Sequence, residues 1–257
     1  MQSIAHALNS HHREKQEYCP DHGQYTAIYT WLGDRWVGGG CPHCLDAQRQ
    51  RQRREDMEQR RQQRTQTMIR LAGIPERYQD ASFEAFDAEA DAAVRVREAC
   101  RRYAETFPER LQNGTNLILS GGVGTGKTHL GCAIARYVIA AHQRQARYAT
   151  VSDAVRQVRR TYDRTSEQTE QDVFDWLAGL PLLVLDEVGV QTGSEHERMV
   201  LFEIFNRRYS DMRPTVVISN LGCRDLTQIL GERVIDRLLE DGTALAFTWA
   251  SYRGGKR

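Results

Sequence analysis

The sequence predicts an α/β domain with a parallel sheet covered on both faces, preceded by a small cysteine-bearing module and a charged helical linker. Three observations carry this. From residue 76 onward short apolar strands alternate with helical segments, the pattern of a parallel sheet. One strand runs directly into the glycine-rich loop Gly121-Gly122-Val123-Gly124-Thr125-Gly126-Lys127-Thr128. Three of the six cysteines fall in the first 48 residues, ahead of a low-complexity Arg/Gln/Glu stretch, so composition divides the chain at 1–48, 49–75 and 76–257.

Size and charge narrow the function classes. The 257 residues suit one full core plus a small module. With 35 Lys+Arg against 34 Asp+Glu the net charge is +1, which argues against a uniformly basic nucleic-acid binder and leaves room for local basic patches. No apolar run approaches the ~20 residues a membrane span needs, so no membrane partner is expected. Met1 to Ser10 lacks a basic start and an apolar run, and the expected compartment is a reducing cytoplasm without a disulfide framework.

In the N-terminal module Cys19 and His22, then Cys41 and Cys44, form C-x₂-H and C-x₂-C pairs separated by 18 residues. Two such pairs beside turn residues match a tetrahedral Zn²⁺ site. A module of this size cannot build a large core, so the metal is expected to supply its folding energy. His43 competes with His22 but sits between two cysteines. Tyr25, Tyr29, Trp31 and Trp36 are either a partner-gripping surface or the module's small core. Residues 45–72 hold eight Arg and four acids. They read as a solvated helix or flexible linker, serving as a spacer or contacting a coiled-coil partner or a DNA backbone.

The α/β region follows in order. Ala88–Phe107 is expected to be helical, Asn116–Ser120 a strand, Lys127–His142 a helix and Arg147–Val151 a strand. Ser152 is the expected N-cap of a helix through Arg164. Asp172–Ala178 reads as helix, Leu182–Asp186 as a buried strand, Glu195–Met212 as helix and Thr215–Ser219 as a strand. Helices near 224–230 and 231–240 and a strand at Leu245–Trp249 complete the pattern.

The chemistry lies in the loops after the strands. G-x-x-x-x-G-K-[ST] between a strand and a helix cradles phosphates with backbone N–H groups and the helix N-terminus. Lys127 is expected on the β- and γ-phosphates and Thr128 on Mg²⁺, with His129 next in the same site. Leu182-Leu183-Val184-Leu185-Asp186-Glu187 is an apolar strand ending in two carboxylates, Asp186 toward Mg²⁺ and Glu187 toward an attacking water. Asn220, after another strand, would lie between the phosphate loop and Glu187 or cap a helix. Arg233 and Arg237 are i, i+4 neighbours on one helix face, suited to a neighbour's γ-phosphate or to intrahelical pairing. Arg253 is a candidate sensor of the phosphates.

These motifs, in this order, resemble the AAA+ ATPases. Only 37 residues follow Asn220, so a reduced lid is expected, as in the DnaC/IstB group. Gly73-Ile74-Pro75-Glu76-Arg77-Tyr78 with Phe83, Asp186-Glu187-Val188-Gly189-Val190-Gln191-Thr192, Gly231-Glu232-Arg233-Val234-Ile235-Asp236-Arg237 and Trp249-Ala250-Ser251-Tyr252-Arg253 are similar to DnaC-type replicative helicase loaders. The resemblance covers residues 73–257. It implies slow, DNA-stimulated ATP hydrolysis, Asn220 as first sensor, Arg237 as a finger acting in trans and Arg253 as second sensor. It also implies an ATP-dependent spiral oligomer binding single-stranded DNA, for which Arg156, Arg159, Arg160 and Tyr162 are the matching residues or, alternatively, a solvated basic face. The implied partner is a hexameric DnaB-type helicase gripped by the zinc module and delivered to single-stranded DNA, with hydrolysis driving release. The rival is an IstB-type transposition helper that binds duplex DNA and a transposase.

Overall fold

The computed structural model describes residues 11–163, 165–189 and 194–252. The chain divides into two compact units at Arg64/Thr65.

The first unit opens with an antiparallel sheet of β1 (His12–Cys19), β2 (Gly23–Trp31) and β3 (Trp36–Gly38), in that order. Sequence reading assigned no strands here, because alternating charged residues in β1 carry little hydrophobic signal. Helix α1 (Pro42–Leu71) follows. Its segment within this unit is exposed along nearly its whole length, and i, i+4 pairs such as Gln50–Asp46 (2.8 Å) and Gln52–Asp56 (2.9 Å) run along it, the support available to a helix without an apolar face.

The second unit begins within α1. Met68, Ala72 and Ile74 are buried in its core, so packing places the domain boundary earlier than residue 75, where composition changes. A 3₁₀ turn (Glu76–Tyr78) leads to α2 (Asp91–Glu105) and α3 (Phe107–Asn113). The helix expected over Ala88–Phe107 is Asp91–Glu105, and Phe107 instead opens the next one, with Pro108 in its first turn. Then come β4 (Leu117–Gly121), α4 (Lys127–His142), β5 (Ala146–Thr150), α5 (Val151–Arg160), α6 (Glu170–Gly179), β6 (Leu182–Asp186), α7 (Glu195–Ser210), β7 (Thr215–Ser219), α8 (Cys223–Leu230), α9 (Glu232–Glu240) and β8 (Thr243–Phe247).

The five later strands form one parallel sheet in the order β5-β6-β7-β4-β8. Alternate residues enter opposite cores. Leu117, Leu119, Leu182, Val184, Val216 and Ile218 pack with α2 and α4. Ile118, Leu183, Leu185 and Val217 pack with α5 to α9. Both faces are apolar, as a doubly covered parallel sheet requires.

Two expectations need correction. The N-cap of α5 is Thr150, not Ser152: Thr150 accepts from the Asp153 N–H at 3.1 Å and the Asp153 carboxylate reciprocates, a capping box two residues earlier than read. The helix ends at Arg160, short of Arg164, which lies outside the described residues. The last strand also begins at Thr243, two residues before the expected Leu245. No helix among the described residues is long and apolar enough to cross a membrane.

Arg208 anchors the base of the second unit. It is 1% exposed and forms no ion pair with a carboxylate among the described residues. Its guanidinium donates to the carbonyls of Leu177 (2.7 Å), Ala178 (3.2 Å), Leu180 (3.0 Å) and Pro214 (2.5 Å) and to Thr215 Oγ1 (2.9 Å). Burial lowers its pKa to about 9.

Candidate functional site

Because all five strands of the sheet are parallel, their C-terminal ends meet at one edge. There β4 runs into the phosphate loop, β6 ends in Asp186 and β7 is followed by Asn220. β7 lies between β6 and β4, so sheet order places Asn220 between the acidic strand and the loop. Asn220 is exposed and is not a helix cap, since Gly222 caps α8.

The loop Gly121–Thr128 delivers the chain into α4. Gly126, at its N-cap, has φ +91°, and a Cβ there would stand 2.5 Å from the Phe86 ring. Only glycine fits that conformation and approach. Thr125 Oγ1 donates to the Gly122 carbonyl at 2.8 Å. Lys127 is 5% exposed and its ammonium donates to the carbonyls of Gly121 (2.8 Å) and Gly122 (2.6 Å). Val123 is exposed at the tip.

The C-terminal segment braces the loop from outside. The Trp249 indole N–H donates to the Thr125 carbonyl at 3.1 Å, and the Tyr252 backbone N–H to that of Gly124 at 3.0 Å. Phe86 meets the rings of His129, Trp249 and Tyr252 at 5.8–6.4 Å. His129 Nε2 bonds the Ser82 carbonyl at 2.8 Å. Phe86 carries no sequence motif that would have singled it out. Arg253 lies outside the described residues, as do Val190, Gln191 and Thr192.

Asp186 is 5% exposed and accepts three hydrogen bonds. Oδ1 takes the Glu187 backbone N–H at 2.7 Å; Oδ2 takes the hydroxyls of Thr128 and Tyr148, each at 2.8 Å. The Thr128 hydroxyl and the Asp186 carboxylate are hard oxygen donors beside a phosphate loop, a set that fits Mg²⁺. Glu187 follows in a left-handed conformation (φ +61°) and is exposed. A non-glycine residue there is strained by ~1–2 kcal/mol, held by the Val188 N–H on Ile218 O (3.0 Å) and Ser219 Oγ on Val188 O (2.6 Å).

Arg237 lies elsewhere. It donates to Asn206 Oδ1, its guanidinium lies 4.7 Å from the Tyr209 ring centre, and it lines a cavity with Asn116 and Thr215. Those two residues mark the N-terminal ends of β4 and β7. Arg237 is therefore a strand length, about 16 Å, from the loop edge of its own sheet, and it pairs with neither Asp236 nor Glu240. Arg233 is exposed on the same helix. On α5, Arg156, Arg159 and Arg160 are exposed. Arg156 pairs with Asp153 at 3.0 Å. Tyr162 lies past the helix end, in a turn rather than at helical spacing, and its hydroxyl donates to Glu170 at 3.2 Å.

In the first unit Cys19, His22, Cys41 and Cys44 converge, their ligand atoms all within 4.8 Å of one another. His22 Nδ1 is 3.5 Å from Cys19 Sγ, 3.7 Å from Cys41 Sγ and 3.4 Å from Cys44 Sγ; the Cys19 and Cys44 sulfurs are 3.6 Å apart. The edges of a tetrahedral zinc site with bonds of ~2.3 and ~2.0 Å are about 3.5–3.8 Å, so the cluster fits the ion. The His22 hydrogen bond draws the Cys19 thiol down to about 7, whereas the Cys19 hydrogen bond raises Cys44 to about 11. His43 stacks near His22, ring centres 5.2 Å apart, outside the ligand set. Tyr25 and Tyr29 are half-buried and both donate to Glu17. Trp36 is exposed and meets the Trp31 edge. Cys100 and Cys132, raised to about 12 by burial, are inert core thiols.

A phosphate loop on the first strand of a five-stranded parallel sheet, with an acidic strand two places away, defines an AAA+ P-loop ATP-binding domain. Residues 51–257 match the family described as IstB-like ATP binding protein. The replicative helicase loader DnaC of Buchnera aphidicola (subsp. Schizaphis graminum) is 40% identical over 189 residues, 73% of this chain and 75% of that protein. DnaC of Escherichia coli K12 is 34% identical over 194 residues, 75% and 77%. A crystal structure of the DnaC helicase loader superposes with a TM-score of 0.61 at 22% identity, covering 67% of this chain and 99% of that one, which shows a shared fold. The chain belongs to the IstB-like ATP-binding protein family.

Proposed function

We propose that this protein is a cytoplasmic ATP-dependent loader that binds a hexameric DnaB-type replicative helicase and delivers it onto single-stranded DNA, ATP hydrolysis driving release. The observation that carries this reading is the 40% identity over 189 residues to a replicative helicase loader, joined to an intact loop and acidic strand.

In this reading the backbone N–H groups of Gly121–Thr128 and the Lys127 ammonium hold the ATP phosphates, Lys127 exchanging loop carbonyls for phosphate oxygens. His129 and Arg253 complete the nucleotide site. Thr128 and Asp186 hold Mg²⁺, which neutralises phosphate charge when bound. Glu187 takes a proton from the attacking water and Asn220 orients that water. Arg237, assisted by Arg233, serves a neighbouring subunit's nucleotide, a reading that its distance from its own loop supports. Such a role implies ATP-dependent self-association. Arg156, Arg159 and Arg160 contact the DNA backbone, with Tyr162 beside them. The zinc module, residues 1–48, grips the helicase, and turnover is slow and DNA-stimulated.

The test is co-elution of the full-length chain, and of a chain lacking residues 1–64, with the host's replicative helicase, with and without ATP. A complex formed by the full chain and lost with the truncation supports the loader. No complex with either chain refutes it. Duplex DNA and a transposase then become the partners to test.

A further inference from the structure

The geometry points to Tyr148 as a positioning residue of the ATP site, its phenol fixing the Asp186 carboxylate so that Thr128 is free to serve the metal. The inference rests on the reading of Asp186 as the Mg²⁺-side carboxylate. Tyr148 lies on β5, an edge strand of the sheet, next to β6 and three places from the phosphate-loop strand β4, and 38 residues from Asp186 in sequence. Its backbone N–H, facing away from β6, donates to the Ala72 carbonyl at 2.7 Å. Its register partner is Val184. The strand is thus held on both sides, and its ring is buried at 6% exposure in the core that contains Cys132 and Val184.

An apolar side chain would fill that core position. A hydroxyl there costs free energy unless it is bonded, and its partner is Asp186 Oδ2 at 2.8 Å. A buried carboxylate needs donors on both oxygens. Without the phenol, Oδ2 would keep only the Thr128 hydroxyl, the same hydroxyl the metal site requires. Tyr148 is the donor with no second task.

The test is Tyr148→Phe in the full-length chain, which keeps the ring and removes only the hydroxyl. Mn²⁺ binding to the protein with a non-hydrolysable ATP analogue is followed by electron paramagnetic resonance, alongside steady-state ATPase kinetics and analogue binding in EDTA. Loss of one charge-assisted hydrogen bond corresponds to about tenfold. The expected result is Mn²⁺ affinity and kcat each lowered by about tenfold, with metal-free analogue affinity within twofold of the parent. Mn²⁺ affinity and kcat within twofold of the parent overturn the inference. So does a parallel loss of metal-free binding, which marks a general packing role. A parent that binds no Mn²⁺ with the analogue overturns the reading of Asp186 and this inference with it.

Discussion

Removing the metal from the Cys19–His22–Cys41–Cys44 cluster should unfold the first unit and leave the second intact. The perturbation is a strong zinc chelator, or Cys41→Ser. Among the described residues of the first unit, buried side chains are confined to Cys19, Ala27 and Cys41. Apolar burial of that extent contributes about 3 kcal/mol at most, while ordering each residue's backbone costs ~1–2 kcal/mol. The Tyr25 and Tyr29 hydrogen bonds to Glu17 cannot offset that over three strands. Structural zinc in small domains supplies on the order of 10 kcal/mol or more, so it decides whether the module folds. The assay is zinc content per chain together with amide proton spectra before and after chelation. Trp31 and Trp36 report the first unit, and Trp176 and Trp249 the second. One zinc per chain is expected, with loss of the Trp31 and Trp36 indole dispersion on chelation and none at Trp176 or Trp249. A Cys41→Ser chain that retains one tightly bound zinc, or a chelated module with unchanged spectra, would refute the reasoning.

Lys127→Ala should weaken ATP binding at least a hundredfold, because the phosphates lose their one buried ammonium, while helicase co-elution persists; equilibrium binding of a fluorescent ATP analogue checks this. Arg208→Met strands four backbone carbonyls and Thr215, so it should cost about 3–5 kcal/mol and lower Tm by about 10 °C. A calorimetric drop under 3 °C contradicts that account. Arg237→Ala should leave nucleotide binding unchanged and lower ATPase at least a hundredfold. Mixing it with Lys127→Ala chains should restore part of the activity, and no recovery on mixing argues against a finger in trans.

Local spacing is legible without a structure, and the sites built on it were. The loop Gly121–Thr128, the acidic end of Leu182–Asp186 and the two Cys/His pairs each need only neighbours in sequence to announce their chemistry. The central strands β4, β6 and β7 were legible because both their faces are apolar. What spacing does not carry is contact between distant segments. The Thr150 cap displaced Ser152 because two side chains three residues apart reciprocate, which composition alone does not rank. β1 to β3 escaped notice because β1 is mostly charged and polar and so carries little apolar alternation. The reach of Arg237 toward Asn206, away from its own loop, depends on how α9 packs on α7. The burial of Arg208 among backbone carbonyls and the bond from Tyr148 to Asp186 depend on which segments the sheet order makes neighbours. The sequence by itself determined the phosphate-loop motif, the acidic strand end and the four Cys/His residues that converge in the first unit, since these are set by residue type at short range. Tertiary structure alone decided which side chains hold those groups in place, since hydrogen bonding in a buried site depends on distance in space rather than along the chain.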